Sequence, residues 1–245
     1  MRIDAHHSFT GRYTLEYLES ILKRNRFEGS IVVVDNLDPD WPTPDFVRAI
    51  LVNIEVPLPG GRGSVDPECY RAATARERCI SALETLQRHP KFRGLVGQAL
   101  PPALLAELQS HNLTLDLIAP PSVAIQIADQ YPNLRLALVH AGQPPNSSQH
   151  PDDWARDLAL AAQIPHLVCK LSAVARLQPT PRMCVQHALA VFGPSRLMFG
   201  SDWPAGLPEI SWKASLAAFT QAIGAQTIET REQLLGGTAE RFYEV

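Results

Sequence analysis

The sequence predicts an α/β fold, a (β/α)8 TIM barrel, and three observations predict it. Short β-rich runs alternate with helical stretches along the chain, the pattern of parallel strands joined by crossover helices. Several of the runs, such as Ile31-Val32-Val33-Val34, are continuously apolar, as strands covered on both faces must be. The chain has 245 residues, close to the roughly 250 that one such barrel uses. An open doubly wound sheet would show the same alternation, but neither GxGxxG nor a Walker-type GxxxxGKS/T loop follows an early run.

Eight strands are predicted, over Arg2–His6, Ser30–Asp35, Val47–Glu55, Phe92–Val96, Leu113–Ile118, Leu134–Val139, His166–Leu171 and Arg196–Gly200. Closure of a barrel then requires the first to lie beside the last. Helices are predicted over Leu15–Arg26, Tyr70–Arg88, Pro102–His111, Val123–Tyr131, Trp154–Gln163, Arg182–Phe192, Trp212–Ala222 and Thr230–Tyr243. The stretch Asn36–Pro44 is short and holds three prolines, so the second crossover is expected to lack a full helix. Pro57–Ser64 and Gly142–Ser148 are loops by composition. Both follow strands, at the end where barrels build their sites. No fixed-period repeat or linker interrupts the pattern, and one domain over residues 1–245 is expected.

Hydrophobic residues make up 45% of the chain and charged residues 19%, enough apolar material for a substantial core. The formal net charge is -3 and no Lys/Arg stripe is present, which excludes nucleic acid as an expected partner. Cys69, Cys79, Cys169 and Cys184 are widely spaced and read as reduced, buried thiols. Met1–His7 lacks the apolar core of a leader peptide, and no apolar run reaches the ~18 residues of a membrane span. A cytoplasmic protein acting on a small molecule, without a membrane partner, is the expectation.

Polar groups just past an apolar strand are the informative class, because packing does not call for them there. His6 and His7 end the first run, His140 follows Leu134–Val139, and Asp202 follows Arg196–Gly200. Two imidazoles and a carboxylate at one barrel mouth can hold a divalent metal or activate water. Singly, each also fits a structural histidine or a turn-capping aspartate. Alternation places Lys170 and Ser172 on one face of their strand, as substrate contacts, or for Lys170 equally as a buried paired ammonium. Trp203 could wall a pocket or pack. Asn36, Glu55 and Gln98 stand at strand ends and suit either selection of a substrate or plain solvation. His89, His111, His150, His166 and His187 read as structural or solvated.

Four segments resemble the amidohydrolase-related family, which includes sugar-acid lactonases and 2-pyrone-4,6-dicarboxylate lactonase. Ile3–Phe9 is similar to its IDxHxHF strand, Leu138–Pro144 to LDHxGKP, Cys169–Ser172 to CKLS, and Arg196–Pro204 to RLMFGSDWP, while Gly236–Tyr243 resembles the closing GGNAxRFY helix. The resemblance implies a metal-dependent-hydrolase-like barrel that opens a lactone or related ester, with Asp202 activating water and His6 and His140 beside it.

Two departures qualify what it implies. The HxH pair would fall on positions 6 and 8, but position 8 is Ser8, and alternation turns His7 to the opposite face. A serine hydroxyl is a poor zinc ligand. The cofactor expectation is therefore none, or one divalent ion, zinc foremost, held weakly by His6, His140 and Asp202. Val96 and Gly97 stand where the family's GVRH strand carries Arg and His, so the usual anion clamp is missing from that strand. Ser8, Lys170, Ser172 and Trp203 are the expected substrate contacts. The alternatives are a metal-dependent amidohydrolase or decarboxylase, or a barrel that binds small molecules without catalysis.

Overall fold

In the computed structural model the described residues are 1–8, 13–35, 37–54, 81–98, 100–144, 151–177 and 180–245. All eight predicted runs are strands: β1 (Ile3–Ser8), β2 (Gly29–Val34), β3 (Val47–Asn53), β4 (Phe92–Gly97), β5 (Thr114–Leu117), β6 (Arg135–Leu138), β7 (Val168–Leu171) and β8 (Leu197–Phe199). They pair in chain order, every ladder parallel. β8 is only three residues long, so the first and last strands meet just beyond its end. There the Asp202 amide donates to the His6 carbonyl at 2.8 Å and the Ser8 amide to the Trp203 carbonyl at 2.9 Å. The result is a nearly closed (β/α)8 barrel.

Strand alternation sorts the apolar side chains into two layers. Ile3, Ala5, Ile31, Val33, Ala49 and Leu51 belong to the barrel's inner cluster. Val32, Val34, Ile50, Val52, Leu95 and Leu136 belong to the outer cluster, which also contains Leu18, Leu104, Val185 and Phe219 from the surrounding helices.

The helices begin where sequence chemistry lets them. α1 (Leu15–Arg24) starts at Thr14, whose side chain accepts from the Tyr17 amide, and carries Glu16 in its first turn and Lys23 and Arg24 in its last, each matching the macrodipole. Residues 81–87 form α2. Prolines open α3 (Pro102–Ser110), α4 (Pro121–Gln130) and α5 (Pro151–Ala161), at the position where a missing N–H costs nothing. Thr180 caps α6 (Pro181–Phe192) and Ser211 caps α7 (Trp212–Ile223). Among the described residues between β2 and β3 there is no helix, as the prolines require. That segment is held instead from the barrel wall, by Lys91 Nζ on the Pro44 carbonyl at 2.8 Å and His89 Nε2 at 3.1 Å from the Trp41 carbonyl.

The last predicted helix, Thr230–Tyr243, is not one helix. It starts earlier, as α8 (Ile228–Glu232), loosens into a π-turn over Gln233–Gly237, and resumes as α9 (Thr238–Tyr243). The break falls on two glycines, and a side chain at Gly236 would strike the Met1 backbone. Close passage of the two backbones, not helix propensity, decides this stretch. α9 then plugs the base of the barrel. Phe242 and Tyr243 join the inner cluster, Arg93 Nε donates to the Tyr243 carbonyl at 2.9 Å, and the Arg135 guanidinium donates to the Phe242 carbonyl.

Cys169 and Cys184 are buried thiols, and burial pushes them up to about 12 and about 11. Cys69 and Cys79 lie outside the described residues. Among those residues no helix is long and apolar enough to cross a membrane.

Candidate active site

The mouth is organised by a bulge in β1. Asp4 is paired with Ser30 but His7 with Val32, so the pair Ala5 and His6 spans what Ile31 spans alone. Ile3 and Ala5 are in the inner cluster, and strict alternation from them would turn His6 outward. The extra residue resets the count. His7 goes to the outer face, its Nδ1 2.7 Å from the Ser30 hydroxyl, and Ser8 is paired with the inward Val33. Burial, partly offset by Asp4, drops His7 to about 4.

Asp4 fixes this arrangement. Its buried carboxylate accepts from the Ser201 amide at 2.8 Å, the His6 amide at 3.3 Å and Trp212 Nε1 at 2.7 Å, tying β1 to the loop after β8 and to α7. The loops after β6, β7 and β8 are held in uncommon backbone shapes. His140, Ala141, Gln143, Ala173 and Asp202 all have φ between 53° and 58° without being glycine. Each such residue costs of order 1–3 kcal/mol, a strain that clusters at functional sites. Gly200 is needed for a different reason, because a Cβ there would lie 2.6 Å from His6 Cβ and 3.0 Å from Ser172 Cβ.

His6, His140 and Asp202 converge. Asp202 Oδ1 is 3.8 Å from His6 Nε2 and 3.9 Å from His140 Nε2, and the two rings stand edge to face with centroids 5.2 Å apart. The three candidate ligand atoms lie within 4.8 Å of one another. Two imidazole nitrogens and one carboxylate oxygen are a donor set that suits zinc and leaves a coordination position open. His140 is also oriented as ligating histidines usually are. Ser172 Oγ accepts from the His140 amide at 3.1 Å and lies 2.9 Å from its Nδ1, leaving Nε2 toward Asp202. His6 Nδ1, by contrast, is buried without a hydrogen-bond partner. The residues present therefore fit a divalent ion, held by three ligands.

Sequence reasoning missed Arg176. It sits on the turn Val174–Arg176 after β7, and its guanidinium pairs with Asp202 Oδ2, the oxygen turned away from the histidines. The available signal was an arginine a few residues past a strand end, which is where barrel loops carry function. Electrostatics at the mouth follow from burial first. Desolvation holds His6 well below the usual imidazole value, with Lys170 and His140 adding to it, and holds His140 at about 4, with Arg176 and Lys170 adding. Asp202 is pushed up to about 6 by burial, against the pull of Arg176. At neutral pH both imidazoles are neutral and Asp202 is ionised.

The remaining expected residues are distributed around this centre. Ser172 touches His140. Lys170 is fully buried beneath the mouth, its ammonium paired with Asp116, donating to the Ala5 carbonyl, and 5.0 Å from the Tyr243 ring centroid. That geometry favours the paired ammonium over direct substrate contact. Trp203 is 3% exposed and packs on Tyr13 at 4.8 Å between centroids, facing α1. Gln98 is exposed past β4, while Asn36, Glu55 and His150 lie outside the described residues. Val96 fills the inner cluster at the position of the absent arginine.

Comparison with known proteins agrees with this architecture. The family described as amidohydrolase matches residues 45–245. An L-fucono-1,5-lactonase of Burkholderia ambifaria is 32% identical over 144 residues, covering 50% of this chain and 49% of that protein. An L-fucono-1,5-lactonase of Burkholderia multivorans is 36% identical over 126 residues, covering 44% and 42%. The chain thus spans about half the length of these curated relatives. A crystal structure of a Burkholderia multivorans amidohydrolase with bound zinc superposes with a TM-score of 0.73 at 24% identity, over 100% of this chain and 99% of that one. A probable 2-pyrone-4,6-dicarboxylic acid hydrolase from Acinetobacter baumannii gives 0.70 at 16% identity, over 100% and 99%. With its family match running through β3 to α9 and the same fold in both structures, the chain belongs to the amidohydrolase family.

Proposed function

We propose that this protein hydrolyses a lactone or related ester of a small polar molecule, with Asp202 as general base. One observation carries the reading: a single carboxylate oxygen, Asp202 Oδ1, faces two imidazole nitrogens at 3.8 and 3.9 Å in a largely buried mouth. The similarity to L-fucono-1,5-lactonases supports a sugar-acid lactone as the substrate class.

In this mechanism Asp202 takes a proton from water as the water oxygen bonds to the acyl carbon. The ring C–O bond then breaks, and Asp202 returns the proton to the leaving alkoxide, giving a hydroxy acid. Ser172 decides what His140 offers. With the Ser172 hydroxyl donating to Nδ1, Nε2–H of His140 can donate to the oxyanion; with Oγ accepting from Nδ1–H, Nε2 presents a lone pair instead. The second state, with His6 and Asp202, would hold a divalent ion, whose contribution when bound is to polarise the carbonyl and lower the pKa of water.

Proton release from a panel of five- and six-membered sugar lactones, before and after chelation, tests the reading. Asp202→Asn should lower kcat at least 100-fold, within the 10²–10⁴ range of general-base contributions. No turnover of any lactone, or an Asp202→Asn variant of unchanged rate, would overturn it.

A further inference from the structure

We propose that Arg176 is a positioning residue that holds the second oxygen of Asp202 as its counter-ion and thereby sets how tightly the mouth holds a metal. The inference rests on the metal-capable reading of His6, His140 and Asp202, and concerns a residue outside that set. Asp202 divides its two oxygens: Oδ1 toward the histidines, Oδ2 to the Arg176 guanidinium. A zinc ion about 2.0–2.2 Å from Oδ1 would share that carboxylate with a fixed guanidinium charge. Like charges on one carboxylate repel, and the low-dielectric mouth strengthens the repulsion. A second cation, the fully buried Lys170 ammonium, is already committed to Asp116 below and adds to the positive field.

The two partners differ in freedom. Asp202 is held by its amide on the His6 carbonyl and has a side chain 8% exposed, whereas the Arg176 side chain is 41% exposed. The arginine can leave the carboxylate for solvent, and the aspartate cannot follow. Arg176 therefore acts as a built-in counter-ion that a metal must displace or tolerate. This also accounts for how an aspartate so deeply placed remains usable with Ser8 in place of a second histidine: the guanidinium supplies the charge that a tightly held ion would otherwise supply.

The test is metal affinity, read by competition with a chromophoric chelator, together with the visible spectrum of the cobalt-loaded protein. Arg176→Gln should tighten zinc binding at least tenfold and bring in the absorption of a tetrahedral cobalt site, while Arg176→Lys, which restores a charge, should stay near the parent. The gain should disappear in the Arg176→Gln, Asp202→Asn double variant. Unchanged or weaker zinc binding in Arg176→Gln would overturn the proposal, as would a gain that survives loss of Asp202. Circular dichroism of Arg176→Gln confirms folding, which the exposure of this side chain favours. The lactonase reading fails separately, by lack of lactone turnover in the parent protein, and leaves these affinities interpretable.

Discussion

Ser172 shows how one hydroxyl can organise a site through a neighbouring histidine. It accepts from the His140 amide and meets Nδ1 of the same residue, so it fixes both the backbone entry and the ring orientation of His140. Groups in this position behind a catalytic or ligating histidine typically contribute 10–100-fold. Ser172→Ala should accordingly lower kcat/KM on a lactone by that factor, mostly through kcat, and should cost about 1–3 kcal/mol of stability because the buried His140 amide loses its acceptor. Steady-state kinetics alongside a denaturation curve distinguish this from general destabilisation. His7 illustrates the opposite case. Adjacent to His6 in sequence, it is spent on Ser30 at the outer face and plays no part in the cluster.

At the scale of elements, the β1 bulge is the feature on which the mouth depends. Because it turns His6 and position 8 to the inner face, Ser8→His should raise zinc affinity, and Ser8→Ala should leave it near the parent value. Metal analysis and competition titration of both variants would check this; no gain from the histidine would mean that position 8 does not reach the cluster. The strands, the missing second crossover helix and the trio His6, His140 and Asp202 were legible in the sequence, since apolar runs and polar strand ends are local signals. The bulge was not, because it depends on pairing with Gly29–Val34 and leaves no mark in composition. The π-turn was hidden for a related reason: its cause is the Met1 backbone, at the other end of the chain. Arg176 and Asp4 escaped because their roles are set by partners in distant segments, Asp202 for one and Trp212 for the other.

For the molecule as a whole, buried titratable groups set the pH range of stability. His6, His7 and His140 all fold with values below the ordinary imidazole 6.5, the last two at about 4. Between those limits the unfolded chain binds more protons, so their contribution is complete above pH 6.5 and is lost as pH falls toward 4. Asp202, raised to about 6, and Asp116, also raised by burial, work in the opposite direction and offset part of this. With His166 also lowered by burial, four histidines stand against two carboxylates, and the urea midpoint should fall between pH 7 and pH 4.5. A midpoint that holds steady or rises would contradict the burial of these imidazoles. The base of the barrel gives a second whole-molecule expectation. Tyr243 donates to Asp116 at 2.7 Å inside the barrel, and Tyr243→Phe should cost about 1–3 kcal/mol by leaving that oxygen unsatisfied, measurable by chemical denaturation.

The same plug bears on how the chain is made. β1 is synthesised long before β8 and α9, so a nascent chain carries β1 as an unpaired edge, and Asp116 and Lys170 lack Tyr243 until α9 follows. Open strand edges recruit other chains. The interval between β1 and α9 is therefore when neighbouring polysomal chains are most exposed to one another, and slowing translation across α9 would lengthen that exposure without altering a single residue of the folded barrel.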